Sequence, residues 1–219
     1  MDTVKRKALV VHLGLESAAV LPRITGAWNA AALPGVHLEH LIIGRSSITK
    51  AHAPAGEGLR TEEILYAAKG AGAAQKAAFS YAQSGSFDVV ITVRTPELAP
   101  KDLERMLACF DGPGCDAVIA VSAGSARLSD RFLTALQNAL LKRNIADFYS
   151  DARAFSVKIL SAIPFDYNSN GDEFDVQVLI QLTDISARLA QIGAAGKSHF
   201  FGLLTYFFTK FLPVLVALF

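Results

Sequence analysis

Apolar residues in this chain fall in short unbroken runs rather than in strict alternation. Residues 7–13, 36–43, 87–93 and 116–121 are such runs, and the clearest reads Phe87-Asp88-Val89-Val90-Ile91-Thr92-Val93. Each has the length of a strand buried on both faces. The stretches between them are mixed. Residues 17–33 are Ala-rich and predict a helix that stops at Pro34-Gly35. Residues 73–83 predict another, with Gly85 as its stop, and residues 96–110 hold one that starts near Pro100-Lys101-Asp102. Ser129-Asp130 predicts the cap of a helix running through Lys142-Arg143. Residues 44–58 are polar and read as a long loop of the kind that often binds ligands, and 61–68 read as a helical turn or two. Apolar strands separated by helices predict an α/β fold, a mostly parallel sheet flanked by helices. In such sheets ligands sit beyond the carboxyl ends of the strands, here the loops after Leu13, Ile43 and Val93.

The end of the chain differs in character. Lys210 is the sole charge within residues 200–219, and Gly202, Tyr206, Thr209 and Pro213 recur at helical spacing among Phe, Leu and Val. A C-terminal apolar helix is predicted. Twenty helical residues would span about 30 Å, the hydrocarbon thickness of a bilayer. Three readings stay open: an inserted or in-plane membrane anchor, a helix packed on the domain or on an identical partner, and the stub of a truncated segment. Lys197 and His199 suit an interfacial boundary on the cytoplasmic side. The domains expected are therefore 1–196 and 197–219.

Composition narrows the class. The chain has 219 residues, 52% of them hydrophobic and 19% charged, which excludes a disordered protein. Mean hydropathy is +0.33, higher than in most soluble domains. Lys plus Arg number 21 against 20 for Asp plus Glu, so no electrostatic case for nucleic acid arises. Cys109 and Cys115 exclude a framework of disulfides and read as reduced thiols. The start of the chain makes a poor signal peptide, so export is not expected. No histidine pair has metal-ligand spacing, and His37 and His40 fall on opposite faces of a strand.

Three stretches carry a resemblance. The first is Gly70-Ala71-Gly72-Ala73-Ala74-Gln75-Lys76, followed by Tyr81-Ala82 and Phe87-Asp88-Val89-Val90. The second is Leu133-Thr134-Ala135-Leu136-Gln137-Asn138, followed by Asp147-Phe148. The third is Arg153-Ala154-Phe155-Ser156, then Ile163-Pro164-Phe165, Asn168-Ser169-Asn170-Gly171, Phe174-Asp175 and Ile180-Gln181. In this order, over residues 70–192, they resemble the bacterial family 2 glycosyltransferases of the dolichyl-phosphate-mannose-synthase type. The resemblance implies a GT-A fold, a nucleotide-binding α/β half joined to an acceptor half.

The departures concern the donor side. Where the family carries a Pro-x-x-Asn-Glu type motif, this chain has His12-Leu13-Gly14-Leu15-Glu16 and keeps Glu16 alone. The family's nucleotide-holding Asp-Asp-x-Ser becomes Ile43-Gly44-Arg45-Ser46. Its metal-holding Asp-x-Asp becomes Val93-Arg94-Thr95-Pro96-Glu97. Carboxylates there hold Mg²⁺ or Mn²⁺ on the departing diphosphate, and an apolar residue or threonine cannot. No cofactor is therefore evident, although the family uses a divalent ion. Arg94 offers a fixed cation in its place.

The resemblance implies a candidate base at Asp175. It implies substrate-binding roles for Glu16, Gln75, Lys76, Arg94, Asp147 and Arg153, the two arginines toward phosphate. Each has a plainer alternative: a helix cap for Asp175, Asp172 and Glu173, a turn for Asp147, solvated or ion-paired surface for Lys76 and Arg153. Gln137 and Asn138 read as structural hydrogen-bonders. Two functions follow. One is a catalytically degenerate glycosyltransferase-like protein, a binding or scaffold subunit of glycan or glycolipid synthesis on the cytoplasmic face of a membrane. The other is an active, metal-independent glycosyltransferase that moves a sugar from a nucleotide or polyprenyl-phosphate donor to a lipid or glycan acceptor. The expected partners are a nucleotide sugar or lipid phosphate, the membrane through residues 200–219, and another subunit, like or unlike.

Overall fold

The computed structural model describes residues 6–13, 35–43, 47–52, 60–65, 70–94, 98–112, 114–122, 128–148 and 150–194. The helix expected at 17–33, Glu16, the loop at 44–46, residues 95–97 and the terminal segment 197–219 lie outside them. The elements are β1 (Arg6–Leu13), β2 (Val36–Ile43), β3 (Ser47–His52), β4 (Arg60–Leu65), α1 (Ala71–Ser84), β5 (Val89–Val93), α2 (Pro100–Ala108) and β6 (Ala117–Ser122). They continue with α3 (Leu128–Leu141), β7 (Ala152–Ser156), α4 (Val157–Leu160), a 3-10 turn (Phe165–Tyr167), α5 (Phe174–Asp184) and β8 (Leu189–Ala194).

All eight strands form one sheet in the order β4-β3-β2-β1-β5-β7-β6-β8. The pairs β1–β2, β1–β5 and β6–β8 are parallel. The pairs β2–β3, β3–β4, β5–β7 and β6–β7 are antiparallel. The sheet is thus mixed, which corrects the expectation of a mostly parallel one. Two insertions cause this. The expected loop at 44–58 and helical turns at 61–68 contain an antiparallel pair, β3 and β4, that extends the edge. Its register sets Ile48 opposite Ile64 and Lys50 opposite Glu62. The second insertion is β7, which runs antiparallel between β5 and β6.

Side chains of alternate parity fill the two faces. On one face Leu9, Val11, Leu41 and Ile43 meet Ala78 and Phe79 of α1 and Phe174, Val178 and Leu182 of α5. The Phe79 ring is the hub, with centroids 5.4 Å from Phe155, 5.3 Å from Phe165 and 5.7 Å from Phe174. On the other face Ala8, Val10, Val89, Ile91 and Val93 meet Leu103, Met106 and Leu107 of α2. Among the described residues no helix is long and apolar enough to cross a membrane. Both cysteines are free.

Candidate functional site

The carboxyl end of β5 is where four elements converge. Its last residue, Val93, leads into Arg94, whose backbone N–H donates to the Asp151 carbonyl at 2.9 Å. The antiparallel register of β7 sets Arg153 opposite Thr92 on one side and Ile119 on the other. Asp175 lies in the first turn of α5, and Gln75 lies in the first turns of α1. The strand order therefore brings a cation from β7 and a cation after β5 onto one carboxylate.

Asp175 Oδ1 lies 2.5 Å from Arg153 Nη1, and Asp175 Oδ2 accepts from Arg94 Nη2. Arg153 Nη2 donates to the Phe148 carbonyl at 2.7 Å. The buried Nε of Arg153 has no hydrogen-bond partner. Side-chain exposure separates the two arginines, at 3% for Arg153 and 28% for Arg94. Arg153 is a core residue of a central strand, and Arg94 reaches solvent. Burial pushes the Asp175 carboxyl up. The Arg153 and Arg94 guanidiniums outweigh that, aided by the Gln75 side chain, and hold it below the usual carboxylate range. The carboxylate is thus ionised, with a guanidinium on each oxygen.

The remaining predicted residues divide. Gln75 is 2% exposed and lies beside Asp175, but its buried Nε2 makes no hydrogen bond. Lys76 turns away, and its Nζ donates to the Asn168 carbonyl and to Asn170 Oδ1. The Asn170 carbonyl in turn accepts from the N–H groups of Gly72 and Ala73 at 3.0 and 3.2 Å. The α1 N-terminus is thus occupied by the protein's own backbone, not by a ligand-facing Lys76. Asp147 is half-buried and adjoins Phe148, whose carbonyl anchors Arg153. Glu16 lies outside the described residues. Glu173 stands at the N-cap of α5, yet its carboxylate makes no cap bond and accepts from Ser169 Oγ at 3.1 Å. Asn138 is structural, its amide bonding both the N–H and the carbonyl of Ile145 at 2.8 Å.

Sequence reasoning missed the backbone acceptors at Phe148 and Asp151, which have no side-chain signature. It also missed a histidine pair. His12 Nε2 and His40 Nδ1 lie 3.4 Å apart, with the rings stacked at 5.7 Å. Burial, and for His12 also the neighbouring His40, lowers the pair to about 3 for His12 and about 4 for His40. His37 is exposed on the opposite face.

Solved structures share this architecture. Glucosyl-3-phosphoglycerate synthase from Mycobacterium tuberculosis, solved with Mn²⁺, uridine diphosphate and phosphoglyceric acid, superposes with a TM-score of 0.66. The identity is 17%, covering 97% of this chain and 78% of that one. The fold is GT-A. The same synthase with Mn²⁺, uridine-diphosphate-glucose and glycerol 3-phosphate gives a TM-score of 0.64 at 16% identity, over 97% of this chain and 79% of that one. A structure described as a mycobacterial protein gives 0.61 at 14% identity, over 91% of this chain and 70% of that one. No protein-family model matches the chain, and no curated protein does.

A divalent ion at the end of β5 is what the resemblance leads one to expect. The groups described there do not suit one. Arg94 brings positive charge to the position, and both oxygens of Asp175 are already paired with guanidiniums. Among the described residues no group of three His, Cys, Asp or Glu side chains converges to hold a metal.

Proposed function

We propose that this chain is a GT-A-fold, glycosyltransferase-like protein that binds a phosphate-bearing ligand, in first place a nucleotide sugar, and has lost sugar transfer. One observation carries the reading: the Arg94–Asp175–Arg153 cluster. A general base works best with a pKa near the working pH. Asp175 has a guanidinium on each oxygen and a lowered pKa. On this reading Asp175 is a structural counter-ion, Arg153 its buried partner, and Arg94 the cation that faces ligand. The resemblance to dolichyl-phosphate-mannose-synthase-type enzymes favours a lipid-phosphate or glycan context. The apolar residues 200–219 favour a site of action on the cytoplasmic face of a membrane.

The alternative of an active, metal-independent transferase is favoured by one feature, the partial exposure of Arg94, a fixed cation able to meet a leaving diphosphate. The experiment that decides is calorimetric titration with nucleotide sugars, with and without Mn²⁺, alongside an assay for sugar release. Metal-independent binding without turnover is expected. Turnover at any rate above the uncatalysed one restores the transferase, and binding that requires Mn²⁺ removes the basis of both readings.

A further inference from the structure

The cluster at the end of β5 is unbalanced in charge. Two guanidiniums face one carboxylate, so the three groups together carry +1. Arg153 spends its charge inward, on Asp175 and on the Phe148 carbonyl. Arg94 does not. Among the described residues its guanidinium makes one side-chain bond, from Nη2 to Asp175. A guanidinium has five N–H donors in a planar fork, so Nη1 and Nε stay available on a side chain that is 28% exposed. Such a fork matches two oxygens of a phosphate. Its direction is also fixed: the backbone of Arg94 is tied to Asp151 and its tip to Asp175.

The same features repel a metal. A divalent cation entering here meets two guanidiniums and a carboxylate already paired on both oxygens. Resting on the reading that the site takes a phosphate-bearing ligand, we propose that Arg94 anchors a metal-free seat for a diphosphate group, one that divalent cations weaken rather than assemble. In a carboxylate-built site the metal bridges protein and diphosphate, so binding rises with metal. In this seat the metal competes with Arg94 for the same oxygens, so binding falls. The sign of the metal effect therefore distinguishes the two designs.

The test titrates inorganic pyrophosphate into the full chain by calorimetry, with no metal and then with excess Mg²⁺. Saturable binding is expected without metal, and Mg²⁺ should weaken it. Arg94→Gln keeps a donor for Asp175 but loses the charge, and should bind about tenfold more weakly or worse, the equivalent of one charge-assisted hydrogen bond. Arg94→Lys keeps the charge without the fork and should fall between. A thermal melt checks that both variants are folded. No pyrophosphate binding, binding that strengthens with Mg²⁺, or an Arg94→Gln variant that binds like the parent overturns the proposal. The functional reading fails separately. A chain that binds pyrophosphate through Arg94 but no nucleotide sugar keeps the seat and loses that reading. A chain that binds nucleotide sugar equally well as Arg94→Gln keeps the reading and loses the seat.

Discussion

Arg153 sits mid-strand in the centre of a sheet, and its neighbours Ala152, Ala154 and Phe155 are all buried. A buried guanidinium is tolerated only when paired. Asp175 supplies the charge and the Phe148 carbonyl supplies an acceptor. Asp175→Ala should therefore cost about 3–5 kcal/mol, the penalty for leaving a buried charge unpaired. At this chain length that lowers the thermal midpoint by roughly 2–4 °C per kcal/mol, which calorimetric melts will read. Arg94→Gln should cost far less, about 1 kcal/mol, because Arg94 reaches solvent and its ion pair is screened. Equal losses for the two would mean that Arg94, not Arg153, is the structural partner. The lowered Asp175 pKa also has a direction in pH. The stability it contributes is present above the ordinary value of 3.8 and is lost as pH falls through the lower folded value. Asp175 and both arginines were legible as chemistry-bearing residues. Their mutual pairing was not, because nothing in the spacing of positions 94, 153 and 175 says that β7 inserts beside β5.

At the scale of elements, the junction between α1 and the loop before α5 sets the geometry. Gly70 has φ of 104°, in the region that favours glycine, and an added Cβ would lie 2.2 Å from the Asn170 carbonyl oxygen. At Gly72 a Cβ would lie 2.4 Å from the Ser169 carbonyl oxygen and 2.8 Å from both the Gly171 carbonyl oxygen and Phe174 Cβ. The Gly-Ala-Gly motif is thus a docking surface for backbone, and it brings Gln75 up to the first turn of α5. Gly72→Ala should cost about 1–3 kcal/mol through overpacking and should displace Gln75 from Asp175. Denaturant unfolding measures the first effect, and an unchanged midpoint would show that the junction yields freely. The strands β1, β2, β5 and β6 and the helices α1, α2 and α3 were readable from apolar runs and stops. The antiparallel β3 and β4 were not, because both are short and polar. Nor was β7, whose five residues carry an arginine in place of an apolar run.

At the scale of the whole molecule, acid should unfold the protein through its core as well as its surface. His12 and His40 are held neutral by burial, with values of about 3 and about 4 against 6.5 when unfolded. Below pH 6.5 the unfolded chain binds protons that the folded chain refuses, so stability falls as pH drops toward 4. The loss is on the order of 1 kcal/mol per histidine per pH unit in the middle of that window and flattens toward pH 4 as His40 begins to protonate. Melts between pH 7 and 4 should show this slope, and a His12→Leu, His40→Leu double variant should flatten it; a parallel slope in that variant would assign the loss elsewhere. If the proposed anchor reading holds, deletion of residues 200–219 moves the protein from the membrane fraction to the soluble one, and a full-length chain found soluble and monomeric without detergent ends that reading. The sequence by itself determined the α/β class and the chemistry-bearing residues Arg94, Arg153 and Asp175, because these depend on local apolar runs and residue identities. The tertiary structure alone decided the mixed strand directions and the pairing of Asp175 with two arginines. Both depend on which strands become neighbours, and that choice is made by burial and long-range hydrogen bonding across the sheet rather than by any local pattern.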